Sequence, residues 1–174
     1  PEPGEVTPIA EIQGTGAASP LEGKTVTTEG VVTAVYDEGG KNGFFLQTAG
    51  TGGAEKKAGD ASDGIFVYMG GNNDFPQRGD SLQVTGKVSE FKNQTQITVS
   101  SKQELDEALE APKAVGLTEL PAGDDAREPY EGMLVRPGTY TVTNNYNLNN
   151  TGDLGLVAGT EPIYNFTDKN TPSV

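Results

Sequence analysis

The run "SLQVTGKVSEF" at Ser81–Phe91 alternates strictly, with Leu82, Val84, Gly86 and Val88 on one side and Gln83, Thr85, Lys87 and Ser89 on the other. A strand with one apolar side must belong to a sheet with one buried face, and the same demand recurs along the first hundred residues. "KTVTTEGVVTAVY" (24–36) reads as a long Val/Thr-rich strand, with Gly30 predicting a bulge or sharp bend at its middle. "FFLQT" (44–48), "IFVYM" (65–69) and "QITVS" (96–100) supply three more strands, joined by the turn sequences "DEGGKNG" and "FKNQT".

Five short strands in about a hundred residues, the first one bent, predict an all-β fold: a five-stranded barrel like the oligonucleotide/oligosaccharide-binding (OB) fold. The apolar fraction is 33%, with 24 glycines and 11 prolines, which favours turns and short strands over long helices. One short helix is expected in "SKQELDEALEAP" (101–112). Ser101 and Glu104 form a capping-box pattern, Leu105, Ala108 and Leu109 an apolar stripe, and Pro112 a stop. The expected organisation is a linker over residues 1–8, a barrel over 9–111 and a small C-terminal β extension over 112–174. The extension carries the strands "GMLVRPGTYTVTNNY" and "GDLGLVAG", with "NNYNLNN" (144–150) as a hairpin tip or a contact loop. The glycine-rich segment 49–64 has no apolar period and reads as a mobile loop, dispensable for folding. "PLEGKTV" (20–26) and "PYEGMLV" (129–135) align without gaps. A shared turn leading into a strand is favoured over a truncated second barrel repeat.

The formal charge is −13, with an isoelectric point near 4.3. A global field of that sign repels polyphosphate, so any nucleic-acid contact needs a local basic stripe, a bridging cation or a basic partner. There is no His and no Cys, which excludes disulfides, thiolate metal sites, Cys nucleophiles and His general bases within the chain. The start at Pro1 predicts a fragment or a processed chain. No apolar run is long enough to span a bilayer as a helix.

"IAEIQGTGAASPLEGKTVTTEGVVTAVY", "GFFLQT", "DGIFVYMG", "RGDSLQVTGKVSEFKNQTQIT" and "YEGMLVRPGTYTVTNNYNL" together resemble the non-catalytic N-terminal region of large bacterial extracellular nucleases. In that family an OB-like barrel precedes an endonuclease/exonuclease/phosphatase-type catalytic domain. The resemblance covers roughly residues 9–148. It implies an OB-type barrel, a secreted or surface-attached parent nuclease, and a catalytic domain beyond Val174. That domain would use His, Asp, Asn and Glu around a divalent metal such as magnesium or calcium. This chain has no His, so no catalytic residue is carried over, and no cofactor is expected in it. The chain is expected to act as an accessory module and a monomer, holding single-stranded DNA or RNA or positioning the catalytic domain. The alternatives are a structural spacer and a carbohydrate- or cell-surface-binding module.

The candidate contact residues follow from alternation. If Phe44, Leu46, Ile65 and Val67 fill the barrel, then Phe45, Phe66 and Tyr68 lie outside, where OB barrels stack bases on aromatic rings. Lys87 on the fourth strand and Lys92 in the turn after it are candidate phosphate contacts. The competing reading is that the outer rings are covered by the 49–64 loop, the helix or the extension, and it is favoured for any one ring. Asp37, Glu38, Asp60 and Asp63 offer oxygen ligands of the kind calcium takes, but their spacing matches no EF-hand loop and turns are rich in such residues.

Overall fold

A computed structural model describes residues 5–144 and 155–159. Five strands close into a barrel: β1 (Thr25–Tyr36), β2 (Gly43–Gln47), β3 (Gly64–Tyr68), β4 (Ser81–Phe91) and β5 (Gln94–Glu104), in the order β1-β2-β3-β5-β4. All neighbours are antiparallel except β3 and β5, which pair in parallel through Phe66–Gln96, Val67–Ile97 and Tyr68–Thr98. This is the OB-type barrel expected from the strand count. Phe44, Leu46, Ile65, Val67, Val84, Val88 and Ile97 are fully buried inside it, as strand alternation requires.

β1 is long enough to serve both sides of the closure, pairing with β4 over Thr25–Val31 and with β2 over Val31–Tyr36. The register irregularity falls between Val32 and Ala34 rather than at Gly30. Gly30 is needed for a different reason: a Cβ there would come within 2.7 Å of the Gln47 carbonyl oxygen. The strand bulges where it leaves one partner for the other, and the glycine lets β2 approach.

The expected helix over 101–112 does not form. Residues 101–104 continue β5, with Ser101 opposite Thr85 and Glu104 opposite Leu82, and the Leu105 N–H donates to the Ser81 carbonyl at 2.8 Å. A ladder that keeps extending along β4 outcompetes a helix whose apolar stripe is only two leucines and an alanine. Helix α1 (Ile9–Gln13) plugs the barrel instead, with Ile9 and Ile12 fully buried in its core. The chain joins the barrel before the expected boundary at residue 9, because Val6 bridges Thr27 and the Thr7 N–H donates to the Thr27 carbonyl at 2.7 Å.

The extension is not a second barrel among the described residues. It comprises β6 (Val115–Leu117) paired in parallel with β7 (Val135–Pro137), a short helix α2 (Asp124–Arg127), a 3-10 turn (Glu128–Tyr130), and a hairpin of β8 (Tyr140–Asn144) with β9 (Gly155–Ala158). The "PLEGKTV" and "PYEGMLV" segments each lead into a strand, β1 and β7. The tip of the late hairpin lies outside the described residues. Among the described residues no helix is long and apolar enough to cross a membrane.

Val115, Leu117 and Met133 form a second small core, flanked by Tyr130 and Val135. The 49–64 segment, expected as a free loop, is tied at several points to the region of this core, although residues 53–55 and 57–60 are exposed. Tyr130 Oη donates to the Lys56 carbonyl and accepts from the Lys56 N–H, both at 2.9 Å. Lys56 Nζ meets Asp63 at 2.5 Å, and Gly52 bridges Lys113. Few of these partners are apolar, so the sequence shows no hydrophobic sign of the ties. Replacing residues 51–61 with a Gly/Ser linker therefore lowers the melting temperature. The two Tyr130 bonds alone contribute about 0.5–1.5 kcal/mol each, and an unchanged thermal denaturation midpoint would show the ties to be idle.

Candidate nucleic-acid interface

The outer wall of the barrel can be read as rows across the strands. One row runs Tyr36–Gly43–Tyr68–Thr98–Lys87, and the next runs Ala34–Phe45–Phe66–Gln96–Ser89. All three predicted aromatic residues share this wall. Gly43 has no side chain between the two tyrosines, and the Phe66 ring fills that gap: a Cβ on Gly43 would lie 2.3 Å from Phe66 Cζ.

Phe66 is only 3% exposed, so its candidate role as a stacking platform fails and the competing reading, of a covered ring, holds for it. It is buried because Phe45 leans on it, with centroids 5.1 Å apart, and because the Lys41 side chain folds over both. Phe45 and Tyr68 are half-buried, while Tyr36 is 40% exposed and meets Phe45 edge-on at 5.9 Å. The surface that remains open is Tyr36, Phe45 and Tyr68 over a Phe66 base.

Lys41 completes the patch. Its ammonium lies 4.8 Å from the Tyr36 centroid, 4.8 Å from Phe45 and 5.1 Å from Phe66. Among the described residues it forms no ion pair; the lysines that do are Lys56, Lys102 and Lys113. Lys41 stays exposed overall, but partial desolvation beside the rings holds its pKa below the ordinary lysine value. Cation–π attraction of about 0.5–1 kcal/mol, the magnitude for an exposed site, offsets part of that desolvation. The position is set by the β1–β2 turn. Gly39 and Gly40 have φ of 74° and 82°, and Asn42 anchors the far side by donating its side-chain amide to the Gly70 carbonyl at 2.8 Å.

The two predicted phosphate contacts separate. Lys87 is exposed and ends the Tyr36–Tyr68 row, two strand spacings from Tyr68, or roughly 10 Å. Lys92 sits over Phe91 at 5.4 Å and lines a different groove of about 850 Å³, shared with Arg127, Glu128 and Glu131. Tyr36 and Lys41 were missed by sequence reasoning. Tyr36 carries a legible signal, being in phase with Ala34 on the outward side of β1. Lys41 carries none, because only the turn geometry folds it back over the rings.

The other end of the wall is covered by residues 131–135, a strap leading into β7. Gly64 and Gly132 cross backbone to backbone, so that a Cβ on Gly64 would fall 2.3 Å from the Gly132 carbonyl carbon. Gln47 faces outward yet is fully buried beneath the strap, where its side-chain oxygen accepts from the Leu134 N–H at 2.8 Å. The Glu131 carboxylate accepts from Gln13 Nε2 at 3.2 Å and from the Thr95 N–H at 3.0 Å, and its carbonyl accepts from the Ser62 hydroxyl at 2.5 Å.

Burial pushes the Glu131 carboxyl up to about 7; the two donors pull it down, while Glu128 and Glu90 add repulsion. Burial and the carboxylates of Glu90, Asp124 and Asp125 raise Glu128 as well. Asp63 of the acidic loops pairs with Lys56, and the Asp60 carboxylate accepts from the Lys57 N–H at 2.8 Å. Among the described residues no group of three or more His, Cys, Asp or Glu side chains is placed to hold a metal ion.

No family model matches the chain, and no curated protein matches it significantly. Several solved structures are similar in fold. The hypothetical protein YgiW from E. coli is 19% identical, with a TM-score of 0.40 over 59% of this chain and 92% of that one. An OBody, AM1L10, solved bound to hen egg-white lysozyme, is 21% identical, with a TM-score of 0.34 over 51% and 84%. A DUF3299 family protein from Pseudomonas aeruginosa is 11% identical, with a TM-score of 0.35 over 59% and 76%. The OB-type assignment stands on the closed strand ladder itself.

The Glu131 environment predicts a pH dependence of stability. The folded state holds a proton that the unfolded chain, with a carboxyl near 4.5, releases. The contribution is therefore full below about pH 4.5 and lost as the pH rises through about 7. Thermal melts of the wild type should show the midpoint falling between pH 5 and 8, with a shallower fall for Glu131→Gln. Parallel profiles for the two proteins would place the titration elsewhere.

Proposed function

We propose that this chain is a non-catalytic accessory module of a secreted bacterial nuclease, and that its outer barrel wall holds single-stranded nucleic acid for a catalytic domain elsewhere in the same polypeptide. The observation that carries the binding role is the Tyr36–Phe45–Tyr68 surface with an ammonium, Lys41, that no carboxylate neutralises among the described residues. Flat half-exposed rings take bases by stacking at about 1–3 kcal/mol per base, with little regard for identity. Lys41 beside the rings and Lys87 at the far end of the row supply two local cations on a chain whose overall charge repels phosphate. The nuclease context rests on the sequence resemblance. In this reading the divalent metal, magnesium or calcium, belongs to the catalytic domain, and the module works outside the cell as a monomer.

A structural spacer is the second reading. The strap favours it, because residues 131–135 already bury Gln47 and cover one end of the wall.

Fluorescence anisotropy with labelled single-stranded oligomers at low and moderate salt separates the two. The expected result is weak binding with a shallow salt slope, since one or two lysines release few counterions. Duplexes should bind less well than single strands, and Tyr36→Ala, Phe45→Ala and Tyr68→Ala should each reduce affinity by roughly fivefold to a hundredfold. Undiminished binding in all three folded variants would remove the wall from consideration. No binding at any salt would leave the spacer reading.

A further inference from the structure

The outer wall and the strap border an open cleft of about 290 Å³ that neither of them forms alone. One side is Thr33, Ala34, Tyr36 and Phe45; the other is residues 132–135. Its volume falls just below the roughly 300–1,000 Å³ typical of drug-sized ligand sites, which suits a single ring. We propose that this cleft is a slot for one nucleobase of a bound strand, with Lys41 taking the adjoining phosphate. The inference rests on the single-strand reading of the wall and adds to it a defined subsite.

Three observations carry it. The first is chemistry: two aromatic residues, Tyr36 and Phe45, line one side of the cleft, and the 132–135 segment lines the other, held there because Met133 and Val135 pack on the second core. The second is charge. Tyr36 and Phe45 line the cleft and are the same two rings that hold the Lys41 ammonium at 4.8 Å. An anion attached to a ring in the slot meets that ammonium, whereas a neutral sugar gains nothing from it, and on a chain of net charge −13 such a cation is the local feature that selects a phosphate-bearing ligand. The third is preorganisation. The strap is held before any ligand arrives by the Leu134–Gln47 hydrogen bond, by the Gly64–Gly132 crossing and by Met133 in the second core. A slot that is already built costs little ordering on binding.

Ala34 is the small residue that keeps the slot open. It faces Phe45 across the β1–β2 ladder and is half-buried at the cleft. A leucine in its place occupies the volume a base would take.

The test uses the 174-residue chain, a short oligothymidylate, and the same phosphate backbone with abasic sites. In the wild type, the backbone amide NMR signals of residues 132–135 should shift on addition of the oligothymidylate and stay still with the abasic strand. Ala34→Leu should weaken oligothymidylate binding roughly tenfold or more. Lys41→Gln should weaken it too and flatten the salt slope by about one phosphate contact. The wild-type NMR readout decides the matter even if Ala34→Leu fails to fold. Binding with unmoved strap signals would overturn the slot while leaving the wall as a strand-binding surface. Strap signals that move with a neutral oligosaccharide and not with the oligonucleotide would assign the cleft to sugars. Absence of oligothymidylate binding altogether would remove both the slot and the reading beneath it.

Discussion

The crossing of Gly64 and Gly132 sets the shape of everything outside the barrel. Two backbones pass so closely that neither residue can carry a side chain without displacing the other chain's peptide. This contact places the strap against β2 and β3. Buried Gln47 then satisfies the strap's Leu134 N–H, and Glu131 reaches Gln13 and Thr95. Without the crossing, Gln47 would be an ordinary solvent-facing residue and Glu131 an ordinary surface carboxylate. The extension is therefore part of the barrel's outer architecture, although it has its own small core of Val115, Leu117 and Met133.

The same crossing divides the outer wall into a covered end and an open end. The open end holds Tyr36, Phe45, Tyr68 and Lys41. Here the physical balance is between ring–ring packing and solvation of a cation. Phe66 gives up its exposure to become the floor. Lys41 gives up part of its water beside three rings while staying exposed overall, and that desolvation lowers its pKa. An ammonium in that state is the chain's clearest departure from its own overall charge. The strongest counterpart is the acidic cluster of Glu90, Glu128 and Glu131 around the strap, where burial and like charges favour protonation of Glu128 and Glu131. Glu131 belongs to the strap, and Lys41 lies over two of the rings, Tyr36 and Phe45, that line the cleft against it.

Much of the barrel was legible from its residues. Period-two alternation in "SLQVTGKVSEF", "FFLQT" and "IFVYM" separated inward from outward side chains, and the buried set Phe44, Leu46, Ile65 and Val67 follows it. The aromatic character of the outer wall was legible for the same reason. Helix position was not. The pattern at 101–112 satisfies capping and periodicity, yet those are contributions of about a kcal/mol, and a strand already registered on β4 continues through them. The plug helix at Ile9–Gln13 is too short to show a period at all.

The sequence by itself determined the strand count, the strand faces and the absence of His and Cys chemistry, because alternation and composition are local properties that need no partner to be read. Tertiary structure decided which outward residues meet solvent. Phe45 and Phe66 are indistinguishable in sequence, each an outward phenylalanine at mid-strand, but Phe66 is covered by Phe45 and Lys41 while Phe45 keeps an open edge. Gln47 is buried by a segment 87 residues further along the chain. Exposure depends on what crosses a face, and that is fixed by contacts between distant segments, which no local pattern encodes.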